Sequence, residues 1–250
     1  LMSLHGFPMG SPDGNHWGPA IALLETTSAT PYFFNWHVGD IGHFTVIGPT
    51  GSGKTVVLNF LAAQAQKLGP RTILFDKDRG SELFVRAMGG HYARLVPGQP
   101  TGFNPLALPD TPANRAFLAD WLGAILKPGG AAEEKAISAA IATAYDHDSG
   151  FRRLRHFREL LAGHQRPEEG DLAARLAAWT DNGPLAWLFD NAVDALDDSQ
   201  RLAGFDITEL LDAPALRTPV LMYLFHRIDE RLDGTPTIIL IDEGWKALDD

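Results

Sequence analysis

The stretch Gly48-Pro49-Thr50-Gly51-Ser52-Gly53-Lys54-Thr55 decides the fold of this 250-residue chain. It matches the pattern G-x-x-x-x-G-K-[ST] at every position. Upstream, His43 to Ile47 is a short apolar run that predicts a strand. Downstream, Val56 to Leu68 has helical apolar spacing, with Val57, Leu58, Leu61 and Leu68 available to a sheet. Strand, glycine loop and helix in that order form the context in which the pattern becomes a mechanism. Glycines let the backbone turn so that successive N–H groups and the helix N-terminus face phosphate oxygens. Read this way, Gly48 to Thr55 wrap the phosphates of Mg-ATP, Lys54 bridges the β and γ phosphates and Thr55 offers its hydroxyl to Mg²⁺.

The metal also needs a carboxylate, and Thr237 to Ile241 supplies a place for one. This aliphatic, β-branched run predicts a central parallel strand covered on both faces, and it ends in Asp242-Glu243. Neighbouring residues at a strand end point to opposite sides, so Asp242 is expected at the metal and Glu243 at the attacking water. The plainer alternative is an acidic strand end that caps a turn.

A second strand, Thr72 to Phe75, runs into Asp76-Lys77-Asp78-Arg79-Gly80. In open parallel sheets ligands gather at the carboxyl ends of strands, which puts Asp76 and Asp78 beside a nucleotide. Turn and helix-cap chemistry accounts for the same residues equally well.

The rest of the chain divides by pattern. Residues 1–40 form a loop-rich, β-rich lead-in, with extended runs at Ile21 to Leu24 and Tyr32 to Val38. Residues 41–110 form the first part of an α/β core, with a helix at Ser81 to Met88 and a strand at Tyr92 to Val96. Residues 111–200 are an all-helical insertion with turns at Lys127 to Gly130 and Arg166 to Gly170. Residues 201–250 resume the core with a strand at Phe205 to Ile207 and a helical stripe of Val220, Leu224, Ile228 and Leu232. Strands alternating with helices predict a mostly parallel sheet, interrupted by the all-α subdomain. Both ends read as cut, and the chain is expected to be part of a longer protein.

Composition bounds the function. With no cysteine, disulfides, thiolate zinc sites and thiol nucleophiles are excluded. The nine histidines show no ligand spacing, and no serine sits in a nucleophile elbow. A formal net charge of −10 argues against a surface that broadly attracts nucleic acid. The one dense basic cluster, Arg152, Arg153, Arg155 and Arg158, reads either as a DNA or partner contact or as a solvated helix face above buried Phe151, Leu154 and Phe157. No apolar run approaches the ~20 residues that cross a bilayer, and no signal pattern opens the chain.

The motifs go further when taken in order. Asn15-His16-Trp17-Gly18, Pro31 to His37, Gly48 to Thr55, Asp76 to Gly80, Gly102-Phe103-Asn104-Pro105-Leu106, Phe189-Asp190-Asn191, Phe205 to Thr208 and Ile241-Asp242-Glu243-Gly244-Trp245-Lys246 together resemble the cytoplasmic ATPase of type IV secretion systems, the TrbE/CagE family or fourth VirB component. The resemblance covers nearly the whole chain. It implies a RecA-like P-loop NTPase core with an all-α subdomain, self-associating as a hexamer, ring or dimer beneath the bacterial inner membrane, joined there to other secretion components. Hydrolysis of ATP with Mg²⁺ would power pilus assembly and transfer of DNA or protein. The family's large N-terminal domain and its later sensor and arginine motifs are not in this sequence. In such folds the sensor strand lies between the glycine-loop strand and the Asp-Glu strand, so a gap is expected there, and with it low activity of residues 1–250 alone. Two other readings stay open: a DNA-translocating motor or coupling protein of the FtsK/HerA class, and a nucleotide-gated scaffold without turnover.

Overall fold

The computed structural model describes residues 8–163, 168, 170–197 and 199–244. Trp245, Lys246 and most of the expected turn at 166–170 therefore lie outside the described residues. In chain order the elements are β1 (Ala22–Glu25), β2 (Pro31–Phe34), α1 (Lys54–Ala65), β3 (Arg71–Asp76), α2 (Glu82–Ala87), β4 (His91–Arg94), α3 (Pro112–Leu126), α4 (Ala131–Asp146), α5 (Leu154–Ala162), α6 (Leu172–Leu176), α7 (Ala186–Phe189), β5 (Leu202–Asp206), α8 (Thr208–Leu211), α9 (Pro214–Asp229) and β6 (Thr237–Ile241). They fall into two compact units. Of the described residues, one comprises those in 8–92, 200–205 and 234–242, the other those in 93–197, 199, 206–233 and 243–244.

The first unit is α/β. A four-stranded sheet has the order β4-β5-β3-β6, and β3 pairs with β6 in parallel, Phe75 opposite Ile241. In strand β3 Thr72 to Asp76 are all buried, as a strand covered on both faces requires. On one face Leu74, Ile238, Leu240 and Leu202 pack with Leu61, Ala62 and Ala65 of α1 and with Ile21, Ala22 and Trp36 of the lead-in. On β3 itself the alternating residue Phe75 stacks on Phe205, ring centroids 5.8 Å apart. The lead-in folds as the antiparallel β1–β2 hairpin.

Three expectations need correction here. Residues His43 to Ile47 form no strand, because a strand exists only through its ladder and no described strand pairs with them, although the Phe44 ring meets Phe34 of β2 at 5.9 Å. Ile47 is 90% exposed. Strand β6 is outermost in the sheet rather than central, and Ile239 and Ile241 are each 39% exposed while Ile238 and Leu240 are buried. Its edge away from β3 is unpaired among the described residues, and of its two faces the one carrying Ile238 and Leu240 is covered. Val57 of α1, expected toward the sheet, is instead exposed alongside Val56 and Phe60, and α1 is apolar nearly all round.

The second unit is helical. Helix α3 starts from Thr111, whose hydroxyl accepts from the Asn114 amide at 3.1 Å, with Pro112 at the first helical position. It ends at Lys127, and the predicted Lys127 to Gly130 turn leads into α4. Phe189 lies at the centre of the core, its ring 5.0 Å from Trp121, 6.1 Å from Trp179 and 6.0 Å from Tyr223. The stripe on α9 holds for Val220 and Leu224, which are buried, but Leu232 lies beyond the helix and is exposed.

Polar side chains tie this unit together. Asn104, fully buried, donates to the Arg152 and Asn191 carbonyls, both at 2.9 Å. Asn191 in turn donates to the Phe103 carbonyl at 2.9 Å and the Leu188 carbonyl at 3.1 Å. The Asp190 carboxylate accepts from Arg155 Nε and Nη2 at 2.9 and 2.8 Å and from the Asp181 amide at 3.0 Å. The basic cluster is therefore not a solvated face. Arg153 donates to the Asp190 carbonyl at 2.6 Å, Arg158 to the Ala173 carbonyl at 2.9 Å and Arg152 to the Leu108 carbonyl at 3.3 Å. Phe151, expected in the core, is largely exposed, whereas Leu154 and Phe157 are buried.

Candidate phosphate and metal site

The glycine loop lies in the first unit, between the unpaired segment 43–47 and α1. Gly51 and Gly53 have φ of +80° and +87°, the left-handed region where a side chain is strained, and no atom lies within 4 Å of where their Cβ would stand. Gly53 is the N-cap of α1, and no side chain caps the helix. An uncapped twelve-residue helix behind an open glycine turn leaves its first N–H groups and the positive end of its dipole for an anion. Lys54 curls back over this turn, its Nζ donating to the Gly48 carbonyl at 3.0 Å and the Pro49 carbonyl at 3.2 Å. The Thr55 hydroxyl has no hydrogen-bond partner among the described residues, so it is available as a ligand. These residues fit a phosphate chain with a magnesium ion.

The Asp76 to Gly80 turn closes on the start of α1. The Asn59 amide donates to the Gly80 carbonyl at 3.1 Å, and a Cβ on Gly80 would stand 2.9 Å from Thr55 Cγ2. Asp76 is buried, and its Oδ2 accepts from the Tyr92 hydroxyl at 2.6 Å and from the Ser81 amide at 2.9 Å. It thus joins β3, β4 and the start of α2. Asp78 points outward, 69% exposed, and pairs with Lys77 at 2.9 Å. Replacing Tyr92 by phenylalanine removes a hydrogen bond to a buried carboxylate. The expected cost is about 1.5–3 kcal/mol of unfolding free energy, read by urea denaturation.

Asp242 directly follows β6, and its amide donates to the Phe75 carbonyl at 2.8 Å. Asp76 and Asp242 therefore stand at the same carboxyl end of two paired parallel strands, next to the turn that touches Thr55. Glu243 has φ of +53°. Left-handed backbone at a non-glycine residue is a strain that the surroundings must hold, and it breaks the regular alternation that the sequence alone suggested for the pair. No group of three or more metal-ligating residues occurs among the described residues.

Two contributors escaped the sequence. Tyr92 is an ordinary strand aromatic until its hydroxyl is seen on Asp76. Asn59 left a faint trace, as one amide in the apolar run Val56 to Ala63, four residues after Thr55.

Comparison with known proteins follows the same lines. No family model matches the chain. It is 44% identical over 256 residues to the type IV secretion system protein virB4 of Bartonella henselae and 40% identical over 277 residues to PtlC of Bordetella pertussis. Both alignments cover all of this chain but 32% and 34% of those proteins, so the chain spans about a third of the length of these relatives. The solved structure of VirB4 from Thermoanaerobacter pseudethanolicus superposes with a TM-score of 0.75 at 19% identity, covering 98% of this chain and 71% of that one, which shows a shared fold. By sequence over its whole length, and with a fold to match, the chain is homologous to about a third of the VirB4 and PtlC proteins of type IV secretion systems.

Proposed function

We propose that this chain is the ATP-binding part of a type IV secretion motor, and that the full-length protein hydrolyses ATP to drive pilus assembly and substrate transfer. One observation supports the reading above the others: an uncapped helix behind an open glycine turn, with the Thr55 side chain against the turn that follows β3. Gly48, Pro49, Thr50, Gly51, Ser52 and Gly53 wrap the phosphates, with the main-chain N–H groups of the residues other than Pro49 turned toward them. Lys54 exchanges its two carbonyl partners for β- and γ-phosphate oxygens, a charge-assisted contact in place of neutral ones. Thr55 and Asp242 hold the metal, and Asp76 and Asp78 border the nucleotide, Asp76 by fixing the turn. When bound, magnesium neutralises charge on the phosphates and on the leaving oxygen. Glu243 orients and deprotonates the attacking water.

The names of the relatives support the secretion role, and they do not favour a DNA-translocating motor of another class. Among the described residues no helix is long and apolar enough to cross a membrane. In the reading adopted here the protein works from the cytoplasm, bound to the inner membrane through other secretion components and through copies of itself.

The test is Glu243→Gln in the full-length protein. Binding of a fluorescent ATP analogue should stay within about twofold, while turnover falls by about 10²–10⁴-fold, the range a positioned general base contributes. Unchanged turnover, or loss of binding, would remove Glu243 from the role given to it.

A further inference from the structure

Thr55 owes its orientation to a residue that does not itself touch the nucleotide. We propose that Asn59 is a positioning residue: by holding the Gly80 carbonyl it keeps the Gly80 methylene against the Thr55 methyl, and so aims the Thr55 hydroxyl at the metal. This rests on the reading of Gly48 to Thr55 as a phosphate and magnesium cradle.

Four observations carry it. Asn59 lies one helical turn beyond Thr55, on the same face of α1. Its Nδ2 donates to the Gly80 carbonyl at 3.1 Å, while its buried Oδ1 accepts nothing, so this bond is the side chain's one hydrogen bond. The reversed amide would set oxygen against oxygen, which fixes the orientation given. Gly80 is not at positive φ, so its backbone does not demand glycine. The demand comes from proximity, because a Cβ there would stand 2.9 Å from Thr55 Cγ2. Finally, Asp78 and Arg79 sit in succession at φ of 58° and 59°, a strained pair in non-glycine residues. Such a turn relaxes unless it is pinned, and among its pins are the Asn59 bond on one side and the bond from the Ser81 amide to Asp76 on the other.

The chemistry follows from threonine. Two heavy atoms share its Cβ, so fixing the methyl also fixes the hydroxyl. A free rotor would spend part of its time with the hydroxyl turned from the ion. A strained turn held by two hydrogen bonds removes that freedom before the ligand arrives, which is how groups outside a metal's own shell raise its affinity.

The experiment uses the full-length protein and the Mg²⁺ dependence of fluorescent ATP-analogue binding, with Mn²⁺ electron paramagnetic resonance as a second readout of the metal. Asn59→Ala should raise the metal concentration for half-saturation by about tenfold, the low end of what lost supporting contacts cost, while metal-free nucleotide affinity stays within about twofold. Gly80→Ala, which pushes the Thr55 methyl from the other side, should shift the same curve in the same direction. In a Thr55→Ser background, where no methyl remains to be held, Asn59→Ala should add less than about threefold, since coupled residues do not add. An unshifted metal curve in both Asn59→Ala and Gly80→Ala, or a full tenfold effect persisting in the serine background, would overturn the proposal while leaving the cradle intact. Undiminished nucleotide binding by Lys54→Ala in the same assay would instead remove the cradle itself.

Discussion

Asp190→Ala is expected to lower the stability of the helical unit by about 3 kcal/mol, the low end of what breaking a buried ion pair from one side costs, because Asp190 is buried while the Arg155 side chain is 35% exposed. The Asp190 side chain is 1% exposed and receives two guanidinium bonds and one main-chain bond from Arg155, with Arg153 Nε 3.6 Å away. Removing the carboxylate leaves the Arg155 guanidinium without its main partner, and the Asp181 amide without its acceptor. The effect should spread, because the adjacent Asn191 clamps the Phe103 and Leu188 carbonyls and itself receives Asn104. Asp190→Asn keeps the shape and some of the hydrogen bonds and should cost less. Urea unfolding of the full-length protein, followed by tryptophan fluorescence, provides the measurement. A loss below about 1 kcal/mol for the alanine variant would mean that Arg155 finds solvent instead, the behaviour of an exposed pair.

The second large effect concerns Lys54. Lys54→Ala in the full-length protein should reduce ATP turnover by about 10²–10³-fold, the range for deleting one preorganised donor to developing charge. Its amine already lies over the loop, bonded to Gly48 and Pro49 carbonyls, so it needs only a short swing to meet a phosphate. Lys54→Arg should rescue little, because a planar fork does not replace a compact ammonium. Steady-state phosphate release checks both variants. Turnover within threefold of wild type in Lys54→Ala would contradict the assignment.

How much of this was legible beforehand depended on how local the cause was. The glycine loop, α1, β3 and the run into Asp242 were readable because each is specified by neighbours in sequence: positive-φ glycines, helical spacing, an unbroken apolar run. Segment 43–47 was misjudged because apolar composition makes a strand only where a partner strand supplies hydrogen bonds. Strand β6 was misjudged for the same reason, since composition cannot report which of its edges is paired. The arginine cluster read as surface because its partners, Asp190, Ala173 and Leu108, come from segments up to forty-four positions away.

The motifs Gly102 to Pro105 and Phe189 to Asn191 carry a related lesson. A residue pattern that stands out in sequence invites a chemical role. Here Asn104, Asp190 and Asn191 satisfy buried carbonyls and guanidinium groups, and Gly102, at φ of +77°, comes close enough to Ala195 that a Cβ would stand 2.9 Å from it. Their work is to hold a helical unit together. Two features of the candidate site differ in kind: among the described residues the Thr55 hydroxyl has no hydrogen-bond partner, and no side chain caps α1.

The most direct test of the central claim is a crystal structure of the full-length protein with magnesium and a non-hydrolysable ATP analogue. The phosphates should lie in the Gly48 to Thr55 turn, with Lys54 Nζ on β- and γ-oxygens, the Thr55 hydroxyl about 2.1 Å from the metal, and Asp242 joined to that metal directly or through one water. A triphosphate bound elsewhere, or an Asp242 carboxylate turned away from the ion with no water between them, would contradict the account.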